Sequence, residues 1–196
     1  MKEFNNSVYF NGTDYCMQSI KLQELSETHE TPFYVYDMNF IIDNYNKLKA
    51  CFPWENVKLH YAMKANYNPH MLKIMKDNGF CLDTVSPAEV IMAKKLGFDS
   101  ENILFTANNM TDAEMELVKS QGVLFNIDSL SRLEAYGKAY NGSKVCLRIN
   151  PDVQAGENEK VVTGGALSKF GILLEDIHKA IAIEIAFVDH AHVDDE

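Results

Sequence analysis

Lys64 closes the segment Tyr61-Ala62-Met63-Lys64-Ala65-Asn66, at the end of an apolar run from Val57 to Met63 that reads as a buried strand. An amine at the end of such a strand needs a reason. A lysine partly withdrawn from water has its ammonium form disfavoured, which frees the amine to attack a carbonyl carbon. Two other charged residues fall at comparable places, Asp83 in Leu82-Asp83-Thr84-Val85 and Arg148 in Leu147-Arg148-Ile149-Asn150. Period-two alternation puts Lys58, His60, Ala62 and Lys64 on one strand face and Leu59, Tyr61 and Met63 on the other. The same alternation separates Cys146, Arg148 and Asn150 from Val145, Leu147 and Ile149, and groups Asp83 with Cys81 and Val85. With the apolar faces packed under helices, an amine, a carboxylate and a guanidinium converge at one end of a sheet. The competing readings are a solvated lysine at a strand rim and an internal salt-bridge layer without chemistry.

The elements that must position these residues follow a strand-then-helix rhythm. Expected strands are Phe33–Tyr36, Val57–Met63, Phe80–Val85, Ile103–Ala107, Val123–Ile127, Lys144–Ile149 and Ile185–His190. Between them lie helix starts at Asn68-Pro69, at Ser86-Pro87-Ala88-Glu89, at Thr111-Asp112-Ala113-Glu114 and at Asp128 or Ser129. Stops fall at Gly79, Gly97, Gly122 and Asn141-Gly142. Such repetition implies parallel strands joined by right-handed crossovers, in a doubly wound sheet or a (β/α)8 barrel. No Gly-x-Gly-x-x-Gly follows a strand, which disfavours a dinucleotide-binding sheet. The polar residues Lys64, Asp83, Asn108 and Arg148 fall at strand C-terminal ends, where (β/α)8 barrels carry their sites. The expectation is therefore an α/β chain with a (β/α)8 TIM-type barrel at 31–196, incomplete, with about six strands. Residues 1–30 read instead as an appended strand or hairpin, with Asn11-Gly12 as a tight turn.

Composition narrows the partners. A formal charge of −10 offers no basic stripe for phosphate backbones, so nucleic acid is excluded. No apolar run approaches membrane-spanning length, and Met1-Lys2-Glu3-Phe4-Asn5-Asn6 lacks a signal-peptide apolar region, so a cytoplasmic location is expected. Cys16, Cys51, Cys81 and Cys146 have no metal-ligand spacing and read as reduced packing thiols, with no metal site. His29, His60, His70 and His178 show no mutual spacing that suggests a metal or a proton relay.

From Thr31 to about Ile183 the chain resembles the first part of the barrel-type, alanine-racemase-like pyridoxal-phosphate decarboxylases, and most closely diaminopimelate decarboxylase. The resemblance is carried by Thr31-Pro32-Phe33-Tyr34-Val35-Tyr36-Asp37, by Tyr61 to Asn66, by Leu82-Asp83-Thr84-Val85-Ser86 with Glu89, and by Ile103 to Asn108. It continues through Asn126-Ile127-Asp128-Ser129, Leu147-Arg148-Ile149-Asn150-Pro151 and Ser168-Lys169-Phe170-Gly171. The stretch from Asn150-Pro151 to Thr163-Gly164-Gly165 favours the diaminopimelate branch over decarboxylases of ornithine, arginine or carboxynorspermidine. The resemblance implies pyridoxal 5'-phosphate as cofactor and an amino-acid substrate, meso-diaminopimelate, converted to L-lysine. It also implies a homodimer in the full-length family. Lys64 resembles the lysine that forms the internal imine with the cofactor. Asp83 and Arg148 resemble the residues that hold the charge network around lysine and ring. His192, in His190-Ala191-His192-Val193, resembles the histidine stacked on the pyridine face.

The chain departs from the pattern after Val193, where the family has Gly-Ser near the cofactor phosphate and this chain has Asp194-Asp195-Glu196. Carboxylates there repel an anion by about 1 kcal/mol per close pair at surface-like dielectric. The expectation is a C-terminally truncated form, poor in turnover, whose N-terminal strands belong to a β-domain that continues outside this sequence. Alternatives are a non-catalytic relative that binds partners, and a barrel enzyme using Lys64 without cofactor. The second is disfavoured because no Gly-rich phosphate loop is visible.

Overall fold

The computed structural model describes residues 3–4, 7–153, 164–165 and 168–188, in two compact units, Met1–Val57 and Lys58–Glu196. The first unit opens with an antiparallel meander of β1 (Glu3–Phe4), β2 (Val8–Phe10), β3 (Tyr15–Met17) and β4 (Ile20–Lys21), in that order. Its central turn is fixed by Asn11, whose Oδ1 accepts from the backbone N–H groups of Thr13 at 2.9 Å and Asp14 at 2.8 Å. Helices α1 (Leu22–Thr28) and α2 (Met38–Ala50) follow, and Asp37 caps α2 by accepting from the Phe40 N–H at 3.1 Å. The strand expected over Phe33–Tyr36 does not form. Its aromatic composition favours extended backbone, but the segment has no ladder partner among the described residues, and Tyr34 is 88% exposed.

The second unit alternates strand and helix. In chain order it contains β5 (His60–Ala62), α3 (Pro69–Asp77), β6 (Cys81–Thr84), α4 (Pro87–Lys95), β7 (Ile103–Phe105), α5 (Asp112–Lys119) and β8 (Leu124–Ile127). Then come α6 (Leu130–Ala139), β9 (Val145–Leu147), β10 (Ile149–Asn150), β11 (Ile172–Leu173) and α7 (Ile177–Val188). Strands β5 to β9 form one parallel sheet in sequential order, and β10 pairs with β11, again in parallel. Arg148 joins the two ladders: its N–H donates to the Ile127 carbonyl and its carbonyl accepts from the Ile172 N–H, each at 2.8 Å. The strand through Val145 to Asn150 thus switches neighbours at Arg148, and six parallel strands follow one another. This is the partial α/β barrel expected from sequence, with β5 to β8 shorter than their apolar runs, but its sixth strand is β11 at Ile172–Leu173, a place where no strand was expected.

Three helix starts of this unit obey their local chemistry, whereas Ser129, at the start of α6, makes no side-chain cap bond. Asn68 accepts from the His70 N–H at 3.0 Å ahead of Pro69, and Ser86 accepts from the Glu89 N–H at 3.3 Å. Thr111 and Glu114 form a reciprocal capping box. The helices cover one sheet face. Leu82, Ile103, Phe105, Phe125 and Ile127 are buried beneath Leu72, Met75, Val90, Val118 and Tyr136, each side chain contributing about 1.5–3 kcal/mol. The Phe105 and Phe125 rings meet edge to face at 5.3 Å.

A second expected strand is overturned in this unit. Ile185–Val188, expected to begin a strand over Ile185–His190, is the last turn of α7; residues 189–190 lie outside the described residues. Ile181, Ile183 and Ile185, at every second position, imitate a strand, but Ala182, Glu184 and Ala186 beside them are good helix formers. Packing against α6 decides the outcome. A Cβ at Gly137 would stand 2.1 Å from Phe187 Cδ2, so the glycine is what lets α7 approach.

Candidate active site

The turn that carries Lys64 is built by its neighbours. Strand β5 ends at Ala62, and Met63–Ala65 makes one tight 3-10 turn anchored by the fully buried Met63. Tyr61 Oη donates to the Asn66 carbonyl at 3.3 Å, and Asn66 Oδ1 accepts from the Asn68 N–H at 3.0 Å. Together these fold the loop back onto its own strand. Lys64 is therefore not the last residue of a strand, as the alternation assumed, but the middle of the turn after it. Its side chain is exposed rather than half withdrawn from water, and among the described residues it makes no hydrogen bond or ion pair.

Asp83 lies in β6, in register with Ala62 on one side and Leu104 on the other. Leu82 and Thr84 turn into the helix layer and are fully buried, so Asp83 faces the opposite side. Arg148 sits where its strand changes partners, with its guanidinium carbon 4.6 Å from the centre of the Phe170 ring. Lys64, Asp83 and Arg148 all line one open cavity of ≈ 770 Å³, together with Thr106, Asn108 and Asn126. The parity argument thus brings the three together on the uncovered sheet face. It misplaces Leu59, which also lines the cavity, and Asn150. Asn150 is buried and exchanges hydrogen bonds with the Gly165 backbone at 3.0 and 3.2 Å. His192 lies outside the described residues, as do Asp194, Asp195 and Glu196.

Sequence reasoning took Asp128 for a helix start and for part of a family-like segment, without a role in the site. It is 9% exposed, and its carboxylate accepts from Asn108 Nδ2 at 2.9 Å. Burial pushes its carboxyl above the usual range, against the pull of the Arg148 charge and of hydrogen bonds from its backbone and Asn108. Extending the alternation from Leu104 through Thr106 to Asn108, and from Asn126 to Asp128, is the signal that marks this layer.

The donor set suits a phosphorylated aldehyde cofactor. A cavity of this size accommodates a cofactor-sized molecule. Lys64 and Arg148 set two cations against the single carboxylate Asp83 in its wall, in a chain of net charge −10, whereas the Lys58 ammonium donates to the Glu101 carbonyl at 3.0 Å and to Asn102 Oδ1 at 2.9 Å. An amine without a partner among the described residues stands at its edge. No group of histidines, cysteines and carboxylates that could hold a metal ion occurs among the described residues.

Comparison with known proteins points the same way. Residues 38–191 match the model of the pyridoxal binding domain of the pyridoxal-dependent decarboxylases. The diaminopimelate decarboxylase of Methanothermobacter thermautotrophicus is 36% identical over 87% of this chain and 42% of its own length. That of Aquifex aeolicus is 33% identical over 91% of this chain and 43% of its own. A crystal structure of M. jannaschii diaminopimelate decarboxylase in co-complex with L-lysine superposes with a TM-score of 0.81 at 30% identity. It covers 93% of this chain and 45% of that one. The chain spans less than half the length of these relatives.

Proposed function

This chain belongs to the pyridoxal-dependent decarboxylase family, and from that premise we propose that it supplies the cofactor-holding part of an enzyme converting meso-diaminopimelate to L-lysine. The observation that carries the reading is the meeting of Lys64, Asp83 and Arg148 around one cavity on the uncovered face of a parallel sheet. The diaminopimelate branch is favoured by the relatives of 36% and 33% identity. Residues 31–196 are read as the barrel portion. Helix α2 is included because the family match begins at residue 38, at the start of that helix. Residues 1–30, which carry the four-stranded meander and α1, are read as part of a second domain. The working enzyme is read as a cytoplasmic homodimer; no described helix is long and apolar enough to cross a membrane.

In this reading each residue has a separate task. Pyridoxal 5'-phosphate, the cofactor of the family, supplies when bound the electron-withdrawing ring that accommodates the electron pair left by departing carbon dioxide. Lys64 Nζ is the nucleophile that would hold the cofactor, condensing with its aldehyde as water leaves, and the same nitrogen would take up and return a proton. Asp83 stands in register with Ala62, two residues before the lysine, and would orient nitrogen-bearing groups in the cavity by accepting hydrogen bonds from them. Arg148 presents a cation that does not lose its proton, and with Lys64 it draws anionic groups into the cavity. His192 enters this reading on family resemblance alone.

The test is direct. Mixing the chain with pyridoxal phosphate produces a protein-bound absorbance band that Lys64→Ala abolishes; a band unchanged in Lys64→Ala removes the lysine from its role. Carbon dioxide release is then measured from diaminopimelate, ornithine and arginine in turn. Release from the first is expected, and release confined to another of the three overturns the substrate.

A further inference from the structure

Asn108 joins three segments through one amide nitrogen. Its Nδ2 donates to Asp128 Oδ2 at 2.9 Å and to the Lys169 carbonyl at 3.1 Å. A side-chain amide has two hydrogens to give, so these bonds use both. The residue after Lys169 is Phe170, whose ring lies against the Arg148 guanidinium. The Phe170 N–H donates to Ser168 Oγ at 3.2 Å. On its far side Gly171 passes so close to the next strand that a Cβ would stand 2.8 Å from the Asn150 nitrogen. The Phe170 backbone is thus held on both sides, and Asn108 ties the Lys169 carbonyl before it across to the segment after β7 and to Asp128.

We propose that Asn108 is a positioning residue: its two hydrogen bonds set the Lys169–Phe170 peptide so that the Phe170 ring fixes the Arg148 guanidinium in the cavity wall. Among the described residues Arg148 has no carboxylate within ion-pair distance, and its guanidinium lies against the Phe170 ring. A guanidinium held by a ring face keeps its donors available, whereas one bound to a carboxylate spends them. Asp128 completes the device. Its carboxylate is buried and anchored by Asn108, and it bears on Arg148 through charge rather than through contact. The functional consequence rests on the reading of Arg148 as a residue that contacts the cofactor; the geometry does not.

The sequence contains only two arginines, Arg132 and Arg148, so the side-chain Nε–Hε spectrum of the ¹⁵N-labelled chain has two signals. Stacking over an aromatic face moves the Arg148 signal upfield of the Arg132 signal, and Phe170→Leu removes that displacement. Asn108→Asp keeps the size but replaces the donor by a second carboxylate facing Asp128; it is expected to remove most of the displacement while the Arg132 signal stays in place. Asn108→Ser, which breaks the bridge without adding charge, gives the same answer if the carboxylate disturbs folding. An Arg148 signal that moves in Phe170→Leu but not in either Asn108 variant overturns the inference. A second readout uses pyridoxal phosphate itself. Asn108→Asp and Arg148→Met each weaken its binding roughly tenfold, as for one charge-assisted contact, and the double variant is no weaker than either alone. Full additivity overturns the positioning role. Unchanged binding in Arg148→Met instead overturns the assignment of Arg148 to the cofactor and leaves the spectral result to decide the role of Asn108.

Discussion

Lys64 could be identified from sequence because its type conflicts with its neighbours, whereas Asp128 passed as a helix start, because aspartate before a helix is ordinary and only the alternation carried on from Asn126 sets it apart. What distinguishes Asp128 is burial, a tertiary property. Its raised carboxyl value has a sign that can be worked through. The native state gives up this proton at higher pH than the unfolded chain, whose aspartates titrate near 3.8. Between that value and the raised native one the native state binds more protons, so stability falls as pH rises through the window. Below the window no cost is present; above it the full cost of a buried carboxylate remains, offset by Arg148 and Asn108. Asp128→Asn keeps an oxygen to accept from Asn108 and removes the titration. Urea unfolding followed from pH 3 to pH 7 is expected to show the variant gaining stability relative to the native chain across that window. A parallel pair of curves rules out Asp128 as a group whose titration differs between the two states. Lys64 teaches the converse lesson. The sequence located the residue but mistook its setting, since the alternation that identified it ends at Ala62 and a tight turn carries the amine out into water.

Helix starts were the most legible elements because their causes are local. Asn68, Ser86 and Thr111 each accept from an N–H two or three residues on, as their sequences require. Parallel strands were legible as apolar runs but overextended, since an apolar run also supplies the residues that lead into and out of the ladder. Two elements were misread for reasons outside their own sequence. Phe33–Tyr36 lacks a partner to pair with, and Ile185–Val188 has a helix to pack on. The second case can be tested, because a strand at that place has no need of a glycine in α6. Gly137→Ala places a methyl group into the Phe187 ring and is expected to cost about 1–3 kcal/mol by overpacking. Shortening Phe187 to leucine in the same chain should return part of that loss, as coupled neighbours do. Chemical unfolding midpoints of the two single variants and the double variant measure it. Independent, additive effects rule out the α6–α7 contact.

The arrangement of the second unit as a whole creates a tension between its two sheet faces. One face is closed by helices; the other carries the cavity and leaves Leu124 36% exposed, with Leu104 beside it in the ladder and also lining the cavity. Strands β5 and β11 are edges among the described residues, and such edges offer unpaired backbone groups to other chains. Against this works the net charge of −10, which keeps copies apart by repulsion that salt screens over about 10 Å at 0.1 M. These opposing terms predict self-association that grows with protein concentration and with added salt. Leu124→Lys, which puts a charge on the open face, should reduce it. Pyridoxal phosphate should reduce it too, because a ligand that occupies the cavity of single copies draws the equilibrium toward them. Sedimentation velocity at two salt concentrations, with and without the cofactor, distinguishes this from association through another surface. If Leu124→Lys and the cofactor leave the distribution unchanged while salt still promotes assembly, the copies meet elsewhere and the cavity face is not the surface that joins them.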